Sequence, residues 1–463
     1  MEPRGQWSGR LGFILAAAGS AIGLGNLWKF PYMAHSNEGG AFVLTYILAV
    51  VFVGVPIMMA EVLMGRRAQS DPVGTFRKLS AGRRGGRAWM GVGFLGVAAG
   101  FVILSYYSVV AGWTVKYIVL ALQGQLAEMS RQPEELQRYF LGFLGDGRQQ
   151  VFYHLIFMSL TVGSVYFGVK GGIERVARVL MPTLFAILIF LAIYATTTAG
   201  FGEAMRFLFR PNFGDLEPTT VLEALGQAFF SLSLGMGAML TYGSYMSRST
   251  SIPRSVVQIC ALDSLIGIVA SVIMFSIIFT FDLDITASAT ILFTTLPTVL
   301  VQLPGGPFLN GLFFLLVAFA ALTSTISLME VVSSYAIDQL RWTRRRATVT
   351  MGATIALFGV LNALSLGASS SLTSFNPVGR ASTAGVFGTL DYLATNWFLP
   401  VGGLFIALFV GWVLGRHAVH DELSAGHGRV RGTGGLLVAL RFVAPLAVGA
   451  ILFSVIFLGA EYQ

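Results

Sequence analysis

The ionisable side chains of Lys29, Glu61, Asp263 and Glu330 fall inside long apolar runs of the sequence. A charge in hydrocarbon costs at least about 2.5–3.5 kcal/mol, so each must find a partner or bind something. Asp263 carries the most information: its carboxylate either bonds neighbouring hydroxyls or answers a cation. The Thr323-Ser324 pair lies in another apolar run. Alone it says little, because such hydroxyls often bond back to the preceding turn. Enzyme chemistry is not encoded: His35, His154, His417, His420 and His427 are scattered without ligand spacing. No nucleophile–base pair stands among the apolar runs. The single cysteine, Cys260, excludes an intrachain disulfide and a cysteine metal cluster.

Two further stretches carry chemistry through their backbone. One is Gly19-Ser20-Ala21-Ile22-Gly23-Leu24-Gly25-Asn26, followed by Lys29 and Pro31; the other is Ser231-Leu232-Ser233-Leu234-Gly235-Met236-Gly237. Glycine costs about 1 kcal/mol against alanine inside a helix, and proline about 3. Their clustering within apolar runs predicts a break at mid-membrane, tolerated only where the freed backbone lines a cavity or is buried in protein. A single such stretch is as readily small-residue helix packing. Two of them, in the first and sixth runs, point to a transporter with a midplane site between repeats.

The elements that position these residues follow from composition. The chain is 55% hydrophobic and 11% charged, with 55 glycines and 37 phenylalanines among 463 residues. A soluble domain carries about a quarter charged residues, so this is an all-α integral membrane protein. With roughly 20 residues per crossing, eleven transmembrane helices are expected near 11–35, 40–65, 88–122, 151–169, 175–198, 219–246, 255–281, 308–338, 346–367, 384–415 and 437–459. The net charge of +8 is dispersed over short loops and does not form a nucleic-acid-binding face. Arg66, Arg67, Arg77, Lys78, Arg83, Arg84 and Arg87 follow span two; Arg341, Arg344, Arg345 and Arg346 follow span eight; Arg416, Arg429 and Arg431 follow span ten. Residues 282–307 carry Asp282 and Asp284 but no Lys or Arg. Positive residues lie inside, which puts the amino terminus in the cytoplasm and the carboxyl terminus outside. No cleavable signal is evident; the first span serves as its own insertion signal. Residues 1–198 form a first five-helix repeat, residues 219–415 a second, inverted one, and residues 437–459 an extra eleventh helix.

The stretches Arg10 to Phe13, Gly25-Asn26-Leu27-Trp28-Lys29-Phe30-Pro31, Glu38-Gly39-Gly40-Ala41-Phe42, Glu61 with Met64-Gly65-Arg66, Phe229 to Gly235, and Leu322-Thr323-Ser324 run in order over essentially the whole chain. In them the sequence resembles the neurotransmitter:sodium symporter family, with its leucine-transporter fold of a 5+5 inverted repeat and broken helices one and six. It looks most like the bacterial eleven-helix members that carry hydrophobic amino acids.

The resemblance implies two sodium sites. The first takes the Ala21 carbonyl, Asn26, Ser231 and Asp263, completed by the substrate carboxylate; the second takes the carbonyls of Gly19, Ile22 and Ala320 with the hydroxyls of Thr323 and Ser324. Chloride-dependent relatives have Asn where this chain has Asp263, so the carboxylate is expected to replace chloride, although Tyr46, Gln227 and Ser231 of the anion ring remain. The implied substrate pocket comprises Ser20, Ala21, Leu24, Gly25, Ile103, Tyr107, Phe230, Ser231, Ser233, Met236, Ser324 and Leu328. Amides opening the outer half-helix favour a carboxylate. Gly23 stands where monoamine-transporting relatives have Asp, which argues for a substrate bringing its own carboxylate. Met236 hints at a broad hydrophobic range.

Lys29 and Asp391 match the family's outer gate, with Tyr107 and Phe230 as the lid; Arg4, Trp7, Ser244, Tyr245 and Asp338 match the cytoplasmic gate. Lysine gives up the bidentate fork that arginine offers relatives at this position. Gly172 and Pro182 frame a stretch that unwinds in a relative; an ordinary helix start is the alternative. Glu61 is expected to brace broken helix one, and Glu330 has no partner legible in the sequence. The expected protein is a chloride-independent sodium symporter importing a hydrophobic α-amino acid across a bacterial plasma membrane, with a monomer sufficient. A symporter of another carboxylate or sulfonate solute such as taurine, and a non-transporting sensor, remain alternatives.

Overall fold

A computed structural model describes residues 5–214, 217–282, 291–425 and 432–461. Arg4, Asp284, His427, Arg429 and Arg431 lie outside the described residues. The crossing elements are α1 (Arg10–Ala21), α2 (Gly25–Ser36), α3 (Gly40–Ala68), α5 (Gly86–Leu122), α6 (Gly147–Tyr166), α7 (Val169–Ala195), α8 (Pro218–Ser231), α9 (Ala238–Gly243), α10 (Ile252–Phe281), α11 (Gly306–Gln339), α12 (Arg344–Leu364), α13 (Gly385–Leu414) and α15 (Thr433–Leu458). Two short helices, α4 (Pro72–Ser80) and α14 (Arg416–Ser424), complete the set used below. Among the described residues, eight helices are long and apolar enough to cross a membrane, and the pair α1/α2, bent by 54°, makes a ninth. The two other expected spans are also helical, as α6 and as the interrupted pair α8/α9.

Local chemistry sets the ends. Asp71 caps α4, its side chain accepting from the Val73 and Gly74 amides. Asp146 does the same for Arg148 and Gln149, which starts the fourth span at Gly147, four residues earlier than the apolar run indicates. The expected Gly172–Pro182 stretch is wound: Val169–Glu174 is a wide helical turn that runs into regular helix containing Pro182.

Both breaks fall where the glycine runs predict them. Helix α1 ends as Ile22 turns extended (φ −75°, ψ 104°), and helix resumes at Gly25. Between α8 and α9, Ser233 (φ 54°), Gly235 (φ 80°) and Gly237 (φ 75°) take left-handed backbone. A Cβ on Gly235 would lie 2.2 Å from the Leu399 carbonyl oxygen, so only glycine fits there.

Burial orders the bundle. The apolar window of α11 is 78% buried against 33% for α7 and α15, so α11 is central and the other two face lipid. Helices α5 and α11 pack along each other, and α1 lies among α7, α10 and α11. The broken segments are thereby held at the middle of the bundle.

Candidate substrate and ion site

The two breaks face one another across a central pocket. It is lined by Ser20, Ala21, Gly23 and Gly25 from the first break, by Phe230, Ser231, Ser233 and Met236 from the second, and by Ile103, Tyr107, Ser324, Ser327 and Leu328 from α5 and α11. Of the twelve expected pocket residues, all but Leu24 line it. Leu24 contributes backbone instead, its amide donating to the Tyr107 hydroxyl at 3.0 Å. Ser327, absent from the sequence expectation, shares a hydrogen bond of 2.7 Å with Ser20. It stands one turn after Ser324 on α11, the helical spacing that would have found it.

No lining residue is charged. The Ser20 carbonyl accepts the Ser233 hydroxyl at 2.9 Å and the Ser324 hydroxyl at 3.3 Å, which ties the two breaks to α11. A Cβ on Gly23 would lie 2.7 Å from Ser324 Oγ and 2.8 Å from the Tyr107 hydroxyl, so a side chain there has to displace both.

Beside the pocket, Asp263 is fully buried at the centre of a polar knot. Its Oδ1 accepts from Asn26 Nδ2 at 2.8 Å, and its Oδ2 accepts from Ser231 Oγ at 2.5 Å and from the Tyr46 hydroxyl at 3.0 Å. The Asn26 amide oxygen accepts from the Gly23 amide at 3.1 Å. Gln227 donates to the Gly25 carbonyl at 3.3 Å, and its own amide oxygen has no hydrogen-bond partner among the described residues. Asn26, Ser231 and Asp263, three of the four expected first-sodium residues, are thus in mutual contact, and Ala21 lines the adjoining pocket.

The second expected set also gathers. Ser324 Oγ lies 3.4 Å from the Ile22 carbonyl and 3.2 Å from the Ala320 carbonyl. Thr323 Oγ1 donates to Ala320 at 3.0 Å, and a Cβ on Gly19 would lie 3.0 Å from Thr323 Cβ. Hydroxyl and carbonyl oxygens are a hard donor set, suited to an alkali cation and unsuited to a soft metal.

Over the pocket, the Lys29 ammonium sits 4.7 Å from the Phe230 ring centre. Lys29 and Asp391 form no ion pair within 4 Å among the described residues, and Asp391 is approached instead by Thr395 at 3.5 Å. Trp7 of the expected cytoplasmic gate is buried: its indole donates to the Tyr242 carbonyl at 2.9 Å and its backbone amide to the Tyr245 carbonyl at 3.1 Å. Asp338 accepts the Asp71 amide at 2.7 Å. The Glu330 partner that the sequence hides is double: its two oxygens accept the Tyr245 hydroxyl and the Arg344 guanidinium, each at 2.5 Å. Glu61 accepts the Gly235 amide at 2.8 Å, so it braces the break in helix six and not, as expected, the one in helix one. An acceptor was needed there because the left-handed turn at Gly235 points that amide away from any helical carbonyl.

Fold and site together define an all-helical membrane protein with interrupted helices around a central polar pocket, a transporter architecture. The sequence profile described as the sodium:neurotransmitter symporter family matches residues 4–135 and 135–462. The sodium-dependent transporter YhdH of Bacillus subtilis is 37% identical over 452 residues, covering 97% of each chain. A sodium-dependent transporter of Haemophilus influenzae is 32% identical over 92% of each. The crystal structure of MhsT in complex with L-phenylalanine superimposes with a TM-score of 0.87 at 40% identity, covering 98% of this chain and 100% of that one.

The chain belongs to the sodium:neurotransmitter symporter family. It is a sodium-dependent transporter, not an enzyme, and carries the fold of MhsT.

Proposed function

We propose that this chain is a sodium-coupled symporter that imports a hydrophobic α-amino acid by alternating access. The observation carrying this reading is the pocket lining, which contains no charged side chain. A ligand held there must neutralise itself, as a zwitterion does. The Tyr107 hydroxyl and the amides opening α2 suit its carboxylate, and the carbonyls freed by the breaks suit its ammonium. Ile103, Met236, Phe230 and Leu328 leave apolar walls for a side chain. A bound L-phenylalanine in MhsT supports the same substrate class.

In this reading Ala21, Asn26, Ser231 and Asp263 hold one sodium against the substrate carboxylate, and Gly19, Ile22, Ala320, Thr323 and Ser324 hold a second. Asp263 supplies the negative charge that a chloride ion supplies in relatives, so transport is chloride-independent. Residues 1–198 and 219–415 act as inverted repeats, with α15 as an addition. Lys29, Asp391, Tyr107 and Phe230 work the outer gate; Arg4, Trp7, Ser244, Tyr245 and Asp338 work the inner one. The protein lies in a bacterial plasma membrane, amino terminus inside and carboxyl terminus outside, and one subunit suffices.

The test is uptake into proteoliposomes under an inward sodium gradient, with labelled phenylalanine, leucine and tryptophan. Uptake that collapses when potassium replaces sodium is expected. Sodium-dependent binding without flux would instead identify a sensor, and uptake of taurine alone would overturn the amino-acid assignment.

A further inference from the structure

Arg441 is the single charged residue of α15, the last crossing helix. At 1.5 Å per residue it lies about 12 Å along the helix from Thr433, inside the apolar span and near the end where the basic loops gather. Its Nε donates to the Gly411 carbonyl at 2.6 Å, and its guanidinium carbon stands 5.3 Å from the Trp412 ring centre. The seat is shaped for it. A Cβ on Gly411 would come within 3.1 Å of Arg441 Cγ, and both helices widen here, at Phe409–Leu414 and Ala439–Val443.

A second guanidinium reaches the same helix end. Arg83 Nη1 donates to the Val413 carbonyl at 2.8 Å and to that of Leu414. These carbonyls belong to the last turn of α13, where no helical donor follows. Each guanidinium has five N–H donors, so the carbonyls leave most of them unused. Among the described residues no carboxylate lies within 4 Å of Arg83, Arg416 or Arg441. The acids nearest in sequence are already taken: Glu422 by Arg66 at 2.6 Å and Asp421 by Arg67 at 3.0 Å. Among the described residues, guanidiniums without an ion-pair partner thus gather at the end of an apolar crossing helix. Beside it Trp412 is 58% exposed and Phe442 51% exposed, their rings 5.7 Å apart.

We propose that the end of α13, with Arg441 and Arg83 as its grips, binds one anionic phospholipid by its phosphate. A guanidinium presents its N–H groups to phosphate oxygens as a fork, which an ammonium does not. Trp412 and Phe442 take the start of the acyl chains, the depth at which aromatic side chains settle. A free phosphate ion shares the headgroup chemistry but would gain nothing from an arginine rooted in the span or from the exposed rings.

The test uses the full chain, purified in detergent, stripped of lipid and offered equal phosphatidylglycerol and phosphatidylcholine, with retained lipid counted by native mass spectrometry. The wild type should retain phosphatidylglycerol roughly tenfold over phosphatidylcholine, a preference worth one decade in binding constant. Arg441→Gln and, separately, Arg83→Gln should bring that preference close to one, and Arg441→Lys should fall between. Sodium-dependent binding of L-phenylalanine in the same samples shows whether each variant is folded; Arg83 lies in an exposed loop, so its variant stands if the Arg441 variant does not fold. Equal retention of both lipids by the wild type overturns the proposal. So does an undiminished preference in both glutamine variants, or displacement of the lipid by millimolar inorganic phosphate.

Discussion

The Asp263 carboxylate accepts the Tyr46 hydroxyl at 3.0 Å, turning on itself a donor that the family resemblance assigns to an anion ring. The same oxygen takes the Ser231 hydroxyl at 2.5 Å. Two donors that the resemblance assigns to an anion ring are thus occupied by a carboxylate, and the third expected member, Gln227, donates instead to the Gly25 carbonyl. Asp263→Asn should therefore lose chloride-independent uptake by about tenfold or more, since hydrogen bonds to a charged group are worth about 1.5–3 kcal/mol. Adding chloride to the variant should restore part of the flux, while the wild type responds equally in chloride and gluconate. A wild type whose uptake falls sharply in gluconate would remove this role from Asp263.

Tyr107 holds the opening of α2 through the Leu24 amide at 3.0 Å. Tyr107→Phe keeps the ring and deletes the hydroxyl, leaving the Leu24 amide without its acceptor and the proposed carboxylate with a donor fewer. Affinity for L-phenylalanine should fall by about tenfold, from a net loss near 1.5 kcal/mol, with little change in thermal stability. Equilibrium binding at saturating sodium measures it; unchanged affinity would place the substrate carboxylate elsewhere.

A methyl group on Gly23 would stand 2.7 Å from Ser324 Oγ and 2.8 Å from the Tyr107 hydroxyl and must push both aside. Both contacts are polar groups of the pocket itself. Gly23→Ala should abolish measurable substrate binding while the protein still elutes as a folded species in size-exclusion chromatography. Retained binding would mean that α5 and α11 yield more easily than their packing implies.

Glu330 is wholly buried between Tyr245 and Arg344, both at 2.5 Å. Removing one partner strands a buried charge, at a cost of about 3–5 kcal/mol. Arg344→Ala should lower the melting temperature markedly or drive the inner face open. The double variant Glu330→Gln with Arg344→Ala should recover much of the loss. A double variant as unstable as the sum of the single ones would show that the pair is not coupled.

Local sequence was decisive for the elements. Runs of apolar residues about 20 long had to be crossing helices, because a bilayer leaves a backbone no other way to satisfy its polar groups. Glycine clusters at 19–25 and 231–237 had to break them, and the breaks lie at 22–24 and 232–237. The order of the motifs also carried the family and nearly the whole pocket. Sequence could not pair the charges, since Glu330 and Arg344 are 14 residues apart on different helices and Arg66 and Glu422 are 356 apart. Glu61 went to the wrong break for the same reason. Its register on α3 is local, but the amide it meets is freed only when Gly235 turns left-handed against Leu399. Ser327 entered the pocket because α11 rotates that face toward Ser20. The chain fixes which groups are polar in an apolar span; helix packing, by bringing distant turns within 3 Å or so of each other, decides which of them meet.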